Sequence, residues 1–102
     1  MTRQEITNRV KKSVESVDSK AKVILFGSRA RGDFKSNSDW DFLILTSKIS
    51  DESLKRRIRE VLIDTELEAE EVINTLIYSQ KTWRNYQSTQ LYKNITTEGF
   101  VV

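Results

Sequence analysis

The amino-acid sequence predicts an α/β or α+β domain, because segments with helical and with strand-like hydrophobic patterns alternate along the chain. A length of 102 residues suits a single domain, residues 1–102, with one hydrophobic core. Charged residues make up 31% of the chain and hydrophobic residues 37%, which is typical of a globular protein with a charge-rich surface.

Hydrophobic periodicity and turn residues predict the individual elements. In chain order these are a helix over 3–18, a buried strand over 22–26, a helical turn over 28–31, a loop over 32–38, a strand over 39–46, a helix over 52–70, a strand over 72–79, and short helices over 80–87 and 89–98. Thr2 and Glu5 match a capping box at the start of the first helix. Gly99 suits a helix C-cap, and residues 100–102 are expected to form a short apolar tail.

The composition restricts the chemistry, because the chain has no cysteine and no histidine. Disulfide frameworks, Cys/His zinc sites, thiol nucleophiles and histidine bases are therefore excluded. Catalysis must rely on carboxylates, hydroxyl groups, Lys, Arg and metal ions. Residues 1–19 are polar and are not expected to form a signal peptide, and no apolar run approaches the length of a membrane span. We therefore expect a cytoplasmic protein without a membrane partner.

Two aspartates stand at the start of the second predicted strand. Side chains alternate along a strand, so Asp39 and Asp41 point the same way, with Cα atoms roughly 6.5–7 Å apart. Trp40 points to the opposite face, where helices are expected to cover it. Two adjacent carboxylates repel each other unless a cation lies between them, and hard oxygen ligands suit Mg²⁺. Asp39 and Asp41 are therefore the candidate metal ligands and catalytic residues.

The turn Gly27-Ser28 leaves the first predicted strand and opens a helical turn. Free backbone N–H groups at such a turn favour a phosphate, and glycine lets a ligand approach the backbone closely. The Ser28 hydroxyl can cap the helix or donate to a phosphate oxygen. Arg29 and Arg31 add positive charge, and two uses remain open for them: phosphate binding, or ion pairs with Asp33 or a helix. The turn and the aspartates together suggest phosphoryl or nucleotidyl transfer.

These residues resemble the signature of a known family. The run "GSRARGD…SDWD" is similar to the "GSRARG…SDxD" pattern of the minimal nucleotidyltransferases, in the DNA polymerase β-like superfamily. The resemblance implies a small mixed β-sheet with helices packed on one side. It implies transfer of a nucleoside monophosphate from an NTP, with ATP the expected nucleotide, to a hydroxyl of a protein or small molecule. Two Mg²⁺ ions would be held by Asp39 and Asp41, and the triphosphate by Gly27 and Ser28.

The resemblance has one departure. The superfamily usually supplies a third carboxylate from the next strand, which activates the acceptor hydroxyl. Here the aligned position is Asn74, or Thr75 with a slip of one residue, and neither is a carboxylate. Loss of a general base costs about 10²–10⁴-fold in rate unless another group replaces it. The alternative function is therefore a catalytically weak, nucleotide-binding, antitoxin-like partner of a helical HEPN-type protein, the partner that minimal members often have.

Other residues have both a structural and a functional interpretation. Ser38 is expected to cap the turn before Asp39, with nucleotide binding as the alternative. The basic residues near the start of the second long helix suit a solvated helix face better than nucleic-acid binding. Four aromatic residues suit a small core or a subunit contact better than a base-stacking platform, and a subunit contact, as in a homo-oligomer, is the favoured interpretation. The basic residues are Lys55, Arg56, Arg57 and Arg59; the aromatic ones are Trp83, Tyr86, Tyr92 and Phe100.

Overall fold

The computed structural model describes all 102 residues. The elements are α1 (Arg3–Val17), β1 (Lys22–Phe26), α2 (Ser28–Arg31), β2 (Trp40–Thr46), α3 (Glu52–Ala69), β3 (Ile73–Ser79), α4 (Gln80–Trp83), a 3₁₀ helix (Arg84–Tyr86), α5 (Gln90–Glu98) and β4 (Phe100–Val101). Each predicted segment is present within one or two residues, except that the predicted helix over 80–87 divides into α4 and the 3₁₀ helix. The predicted capping box is also confirmed, since Thr2 and Glu5 bond each other reciprocally.

The four strands form one mixed sheet in the order β3-β2-β1-β4. β1 runs antiparallel to both of its neighbours, whereas β2 and β3 run parallel. A parallel pair needs a long crossover, and α3 supplies it here. The predicted class, an α+β fold with a small mixed sheet, is therefore confirmed.

The two faces of the sheet carry different helices. The long helices α1 and α3 cover one face and form the larger core, which includes Ile6, Val10, Val14, Val23, Leu25, Phe42, Ile44, Ile58, Leu62 and Ile77. The second face carries Leu43 and Leu45, which pack against Trp83 of α4 and Ile95 of α5. The expectation of helices on one side thus holds for the long helices only, because the second face is also apolar along β2 and needs a cover of its own.

Aromatic side chains complete this second, smaller core. Tyr78, Trp83, Tyr86 and Tyr92 contact one another with ring centroids 5.0–5.8 Å apart. Trp83, Tyr86 and Tyr92 therefore pack in the small core, which is one of the interpretations that the sequence allowed. Phe100 lies elsewhere and is half-exposed, with the Arg3 guanidinium 4.8 Å from its ring centroid.

The C-terminal residues differ from their prediction. Residues 100 and 101 form the edge strand β4 beside β1 instead of a free tail. Gly99 follows α5 with φ −75°, so the position does not need the left-handed conformation that usually favours glycine at a helix end. A Cβ there would lie 2.5 Å from the Ile95 carbonyl oxygen and 2.8 Å from the Ile24 side chain. Glycine is therefore required by close packing between α5 and β1.

The helices have no segment that is both long enough and apolar enough to span a bilayer.

Candidate functional site

Polar side chains from two strands meet at one end of the sheet. Asp41 pairs with Phe26 of β1 on one side and with Asn74 of β3 on the other, and Asp39 lies just before β2. The alternation of side chains along β2 puts both aspartates on the second face of the sheet. The prediction for Trp40 is confirmed, since its ring is buried in the core beneath the long helices.

Asn74 bridges the two aspartates. Its Nδ2 atom donates to Asp39 Oδ2 at 2.9 Å and to Asp41 Oδ1 at 3.3 Å. Thr75 pairs with Phe42 instead, so Asn74 is the residue of β3 that lies beside the carboxylates. Neither Glu70 nor Glu71 takes its place: Glu70 ends α3, and Glu71 pairs with Arg29. The adjoining ends of β2 and β3 therefore bring together two carboxylates and one amide.

The environment of Asp41 disfavours its charged form. Its partial burial, followed by the charge of Asp39, raises the pKa of the Asp41 carboxyl above its ordinary value, although the Asn74 hydrogen bond and the charge of Arg31 act in the opposite direction. A cation between the carboxylates would offset this electrostatic cost, and the raised pKa makes Asp41 a candidate functional residue.

Gly27 makes the close approach between β1 and Asp41 possible. Its φ of +76° lies in the region that side chains rarely adopt, and a Cβ at this position would lie 2.3 Å from Asp41 Oδ2. The turn therefore needs glycine for both its conformation and the space beside the carboxylate. Ser28 follows as the first residue of α2, half-buried next to this turn.

Arg29 is held in place by contacts inside the protein. It is buried, and its guanidinium donates to the backbone carbonyls of Ser36 and Ser38 at 3.1–3.3 Å. It also stacks on Trp40 at 4.6 Å and on Phe34 at 4.5 Å, and its Nη2 lies 3.7 Å from a Glu71 oxygen. These contacts use the Arg29 donors to hold the loop before β2. Phosphate binding by Arg29 stays a prediction.

Arg31 faces the site instead. Its Nη1 lies 3.3 Å from both carboxylate oxygens of Glu98, and its Nε lies 3.3 Å from Asp33. These two acids raise the pKa of Arg31 above its ordinary value, with the Glu98 hydrogen bonds first. The ion pair with Asp33 was one of the two uses that the sequence left open, and nearly half of the side chain remains exposed.

Ser38 caps its turn, as the sequence analysis favoured. Its hydroxyl accepts a hydrogen bond from the Lys35 backbone N–H at 2.8 Å, while its own N–H donates to the Lys35 carbonyl. Its carbonyl also accepts from Arg29. These bonds fix the loop that leads to Asp39, and they leave Ser38 as a residue that orders the loop.

Glu98, the last residue of α5, is the member of the site that sequence reasoning missed. One carboxylate oxygen accepts a hydrogen bond from the Gly27 backbone N–H at 3.2 Å, across 71 residues of sequence. No local pattern around Glu98 identifies this contact, because it depends on how α5 packs against the sheet.

The donor set fits magnesium. Mg²⁺ is bound in proteins by one or two carboxylates together with substrate phosphates and waters, which matches Asp39 and Asp41 beside the Gly27 turn. The structure contains no group of three or more His, Cys, Asp or Glu side chains that could hold a metal ion. Phosphate and water oxygens would therefore have to complete the coordination of Mg²⁺.

Comparisons with known proteins show the family to which the chain belongs. Residues 7–98 match the family described as nucleotidyltransferase domain. A protein of Methanocaldococcus jannaschii, named as a candidate protein adenylyltransferase, is 35% identical over 78 residues, which are 74% of this chain and 79% of the relative.

Two solved structures show the same fold. A chain of a toxin–antitoxin complex with AMP-PNP superposes with a TM-score of 0.67 at 22% identity, covering 92% of this chain and 69% of the other. A chain of a complex from Shewanella oneidensis, a tri-AMPylated HEPN toxin with its MNT antitoxin, gives a TM-score of 0.64 at 18% identity, covering 98% and 71%. The shared fold and the match over residues 7–98 have one explanation: this chain belongs to the nucleotidyltransferase domain family.

Proposed function

We propose that this nucleotidyltransferase is a Mg²⁺-dependent protein adenylyltransferase that moves AMP from ATP to a hydroxyl group of a HEPN-type partner. The observation that carries the proposal is the pair of carboxylates, Asp39 and Asp41, held on one face beside the Gly27 turn. Asp39 and Asp41 would hold Mg²⁺, Gly27 and Ser28 would bind the triphosphate, and Arg31 would neutralise part of its charge.

The reaction needs little covalent chemistry from the protein. The acceptor oxygen forms a bond to the α-phosphorus of ATP, the bond from that phosphorus to the oxygen that bridges to the β-phosphate breaks, and pyrophosphate leaves. The hydroxyl proton passes to water or to the departing pyrophosphate, because the Asn74 amide cannot accept it. Bound Mg²⁺ would neutralise the negative charge that builds up on the phosphate oxygens. The chain's own contribution is to position the triphosphate against the turn and to hold Asp39 and Asp41 in a fixed orientation through Asn74.

The finer parts of the proposal come from the relatives. Protein adenylylation is the activity in the name of the Methanocaldococcus jannaschii relative, and AMP-PNP is bound in one of the matched complexes. The HEPN partner follows from the Shewanella oneidensis complex, whose toxin carries AMP groups. ATP, a protein hydroxyl and a HEPN-type partner are thus the specific choices to test.

Asn74 favours a second candidate function. An amide cannot accept the proton of an attacking hydroxyl, so a chain with Asn74 at this position can bind nucleotide and still turn over slowly. In this alternative the protein acts by docking on a helical partner. A transfer rate indistinguishable from background, together with tight Mg·ATP binding, would favour it.

The test begins with calorimetric titration of the purified chain with ATP, GTP, CTP and UTP, with and without Mg²⁺. The Asp39→Asn/Asp41→Asn double variant is expected to lose Mg²⁺-dependent binding. A matched control is Glu68→Gln, which removes a carboxylate paired with Arg9 on the exposed surface of α3. Transfer is then measured with ATP labelled at the α-phosphate. Binding or transfer that survives the double substitution undiminished would refute the proposal.

A further inference from the structure

The Glu98 carboxylate lies in the phosphate-binding part of the site. It accepts the Gly27 N–H at 3.2 Å, and both of its oxygens lie 3.3 Å from Arg31 Nη1. Only about one fifth of its side chain is exposed. Gly27 and Arg31 are the groups to which the proposed function assigns the triphosphate, so one protein anion already contacts both.

A backbone N–H has a single hydrogen and cannot serve a carboxylate and a phosphate fully at the same time. The same position cannot hold two unscreened anions, since like charges at close range repel. We therefore propose that Glu98 competes with the nucleotide. Its carboxylate lies where oxygens of the triphosphate would bind, and the nucleotide displaces it on binding. This inference rests on the proposed function, because it assumes that the triphosphate binds at Gly27 and Arg31.

The contact distances suit a displaceable ligand. The three Glu98 contacts measure 3.2–3.3 Å, longer than the roughly 2.7–2.9 Å of strong charge-assisted hydrogen bonds. Arg31 is also about 45% exposed, so water screens its attraction to Glu98. A magnesium-bound triphosphate offers more oxygens to the same donors and can replace the carboxylate.

The position of Glu98 in the fold explains why it reaches the turn. Glu98 is the last residue of α5, and Gly99 brings the backbone within packing distance of Ile24 in β1. The packing of α5 on the sheet therefore delivers the carboxylate to Gly27, so that the C-terminal helix controls access to the phosphate site.

A positioning role for Glu98 predicts the opposite result. If Glu98 served to hold Arg31 ready for the triphosphate, removal of its charge would weaken nucleotide binding. If Glu98 competes with the triphosphate, removal of its charge strengthens binding. The sign of the change in affinity therefore separates the two roles.

The decisive variant is Glu98→Gln, which keeps the size of the side chain and removes its charge. We expect its dissociation constants for Mg·ATP and for magnesium tripolyphosphate to fall about three- to tenfold, the effect of one partly exposed charge contact. Glu68→Gln is the matched control, because it removes an equal charge that is paired with Arg9 away from the site. Adenosine, which has no phosphate, should bind both variants and the parent equally.

A second variant guards against misfolding. Glu98→Asp keeps the charge but shortens the side chain, so it should also bind tripolyphosphate more tightly. Thermal unfolding checks that each variant is folded. When magnesium tripolyphosphate is added, the NMR signal of the Gly27 amide should shift both in the parent and in Glu98→Gln. Unchanged or weaker binding by both Glu98 variants, while the parent binds Mg·ATP, would overturn the inference alone. Failure of the parent to bind any nucleotide would overturn the proposed function, and the inference with it.

Discussion

Asn74 and Asp41 lie opposite each other in the parallel pair β2–β3, and the Asn74 amide donates a hydrogen bond to the Asp41 carboxylate at 3.3 Å. A second bond from the same nitrogen reaches Asp39 at 2.9 Å. The amide therefore holds the two acids together in the absence of a cation. Each carboxylate keeps one oxygen that Asn74 does not contact, so Mg²⁺ can bind these oxygens while the amide stays in place.

We predict that Asn74→Asp lowers stability without metal and increases activity with it. A third carboxylate adds repulsion and removes two hydrogen bonds, so the free energy of unfolding in Mg²⁺-free buffer should fall by about 1 kcal/mol. The same carboxylate can accept the acceptor's proton, and we expect transfer to be roughly 10²-fold faster if this step limits the rate. Thermal unfolding with and without Mg²⁺ and the transfer assay test both parts.

The control for this variant is Asn74→Ala, which removes the hydrogen bonds without adding a base. It should lose stability and gain no activity. An Asn74→Asp variant that is folded, binds Mg·ATP and shows no faster transfer would mean that the partner protein supplies the base or that no base is needed.

The two glycines with positive φ should respond differently to alanine. Gly27→Ala places a Cβ 2.3 Å from Asp41 Oδ2 on a backbone with φ +76°, so we expect a loss of about 3 kcal/mol in stability and loss of nucleotide binding. Gly32→Ala meets the same kind of backbone strain at φ +93° but has nothing within 4 Å of its Cβ. It should cost only about 1 kcal/mol and keep nucleotide affinity. Equal losses of affinity would show that space beside Asp41 is unimportant.

Substitution of Arg29 should mainly lower the stability of the fold, whereas substitution of Arg31 should mainly weaken nucleotide binding. Arg29→Ala removes bonds to two loop carbonyls and the stacking on Trp40, so we expect a loss of about 3 kcal/mol in unfolding free energy. Arg31→Ala removes a partly exposed side chain and should cost less than about 1 kcal/mol, while weakening Mg·ATP binding about tenfold. Denaturant unfolding and calorimetry on both variants give the comparison. The reverse pattern would assign the phosphate to Arg29.

Asp18 should control the acid sensitivity of the fold. Its burial raises the pKa of the carboxyl, but hydrogen bonds from the Ser47 hydroxyl, the Ser47 N–H and the Lys20 N–H outweigh this effect and lower the pKa below its ordinary value of 3.8. Between the folded and the ordinary pKa the unfolded chain binds more protons. The stabilisation is therefore complete above the ordinary value and lost as pH falls through the folded pKa.

Asp18→Asn should accordingly lower the free energy of unfolding by about 1–3 kcal/mol at neutral pH, since buried donors lose charged acceptors. The stability difference between the variant and the parent should shrink as the solution is acidified below the folded pKa. Denaturant unfolding over a pH series measures it, and a difference that stays constant down to strong acid would contradict the assigned pKa direction.

Short-range patterns in the sequence determined the helices and strands, and they identified the aspartates and the glycine–serine turn of the site. Helical periodicity placed α1 and α3, and the two-residue period of a strand placed Asp39 and Asp41 on one face, because these features depend only on neighbours along the chain. The sequence also predicts that Gly27 and Ser28 share a site with the aspartates, because all four residues lie within one short stretch of the chain.

Tertiary packing decided the remaining members of the site. The parallel pairing of β2 with β3 placed Asn74, and not Thr75, beside the aspartates. Tertiary contacts also placed the Arg29 guanidinium on the Trp40 ring. Glu98 reaches Gly27 across 71 residues only because α5 packs on the second face of the sheet. Such contacts arise from the summed burial of apolar surface over the whole chain, so no local pattern of residues encodes them.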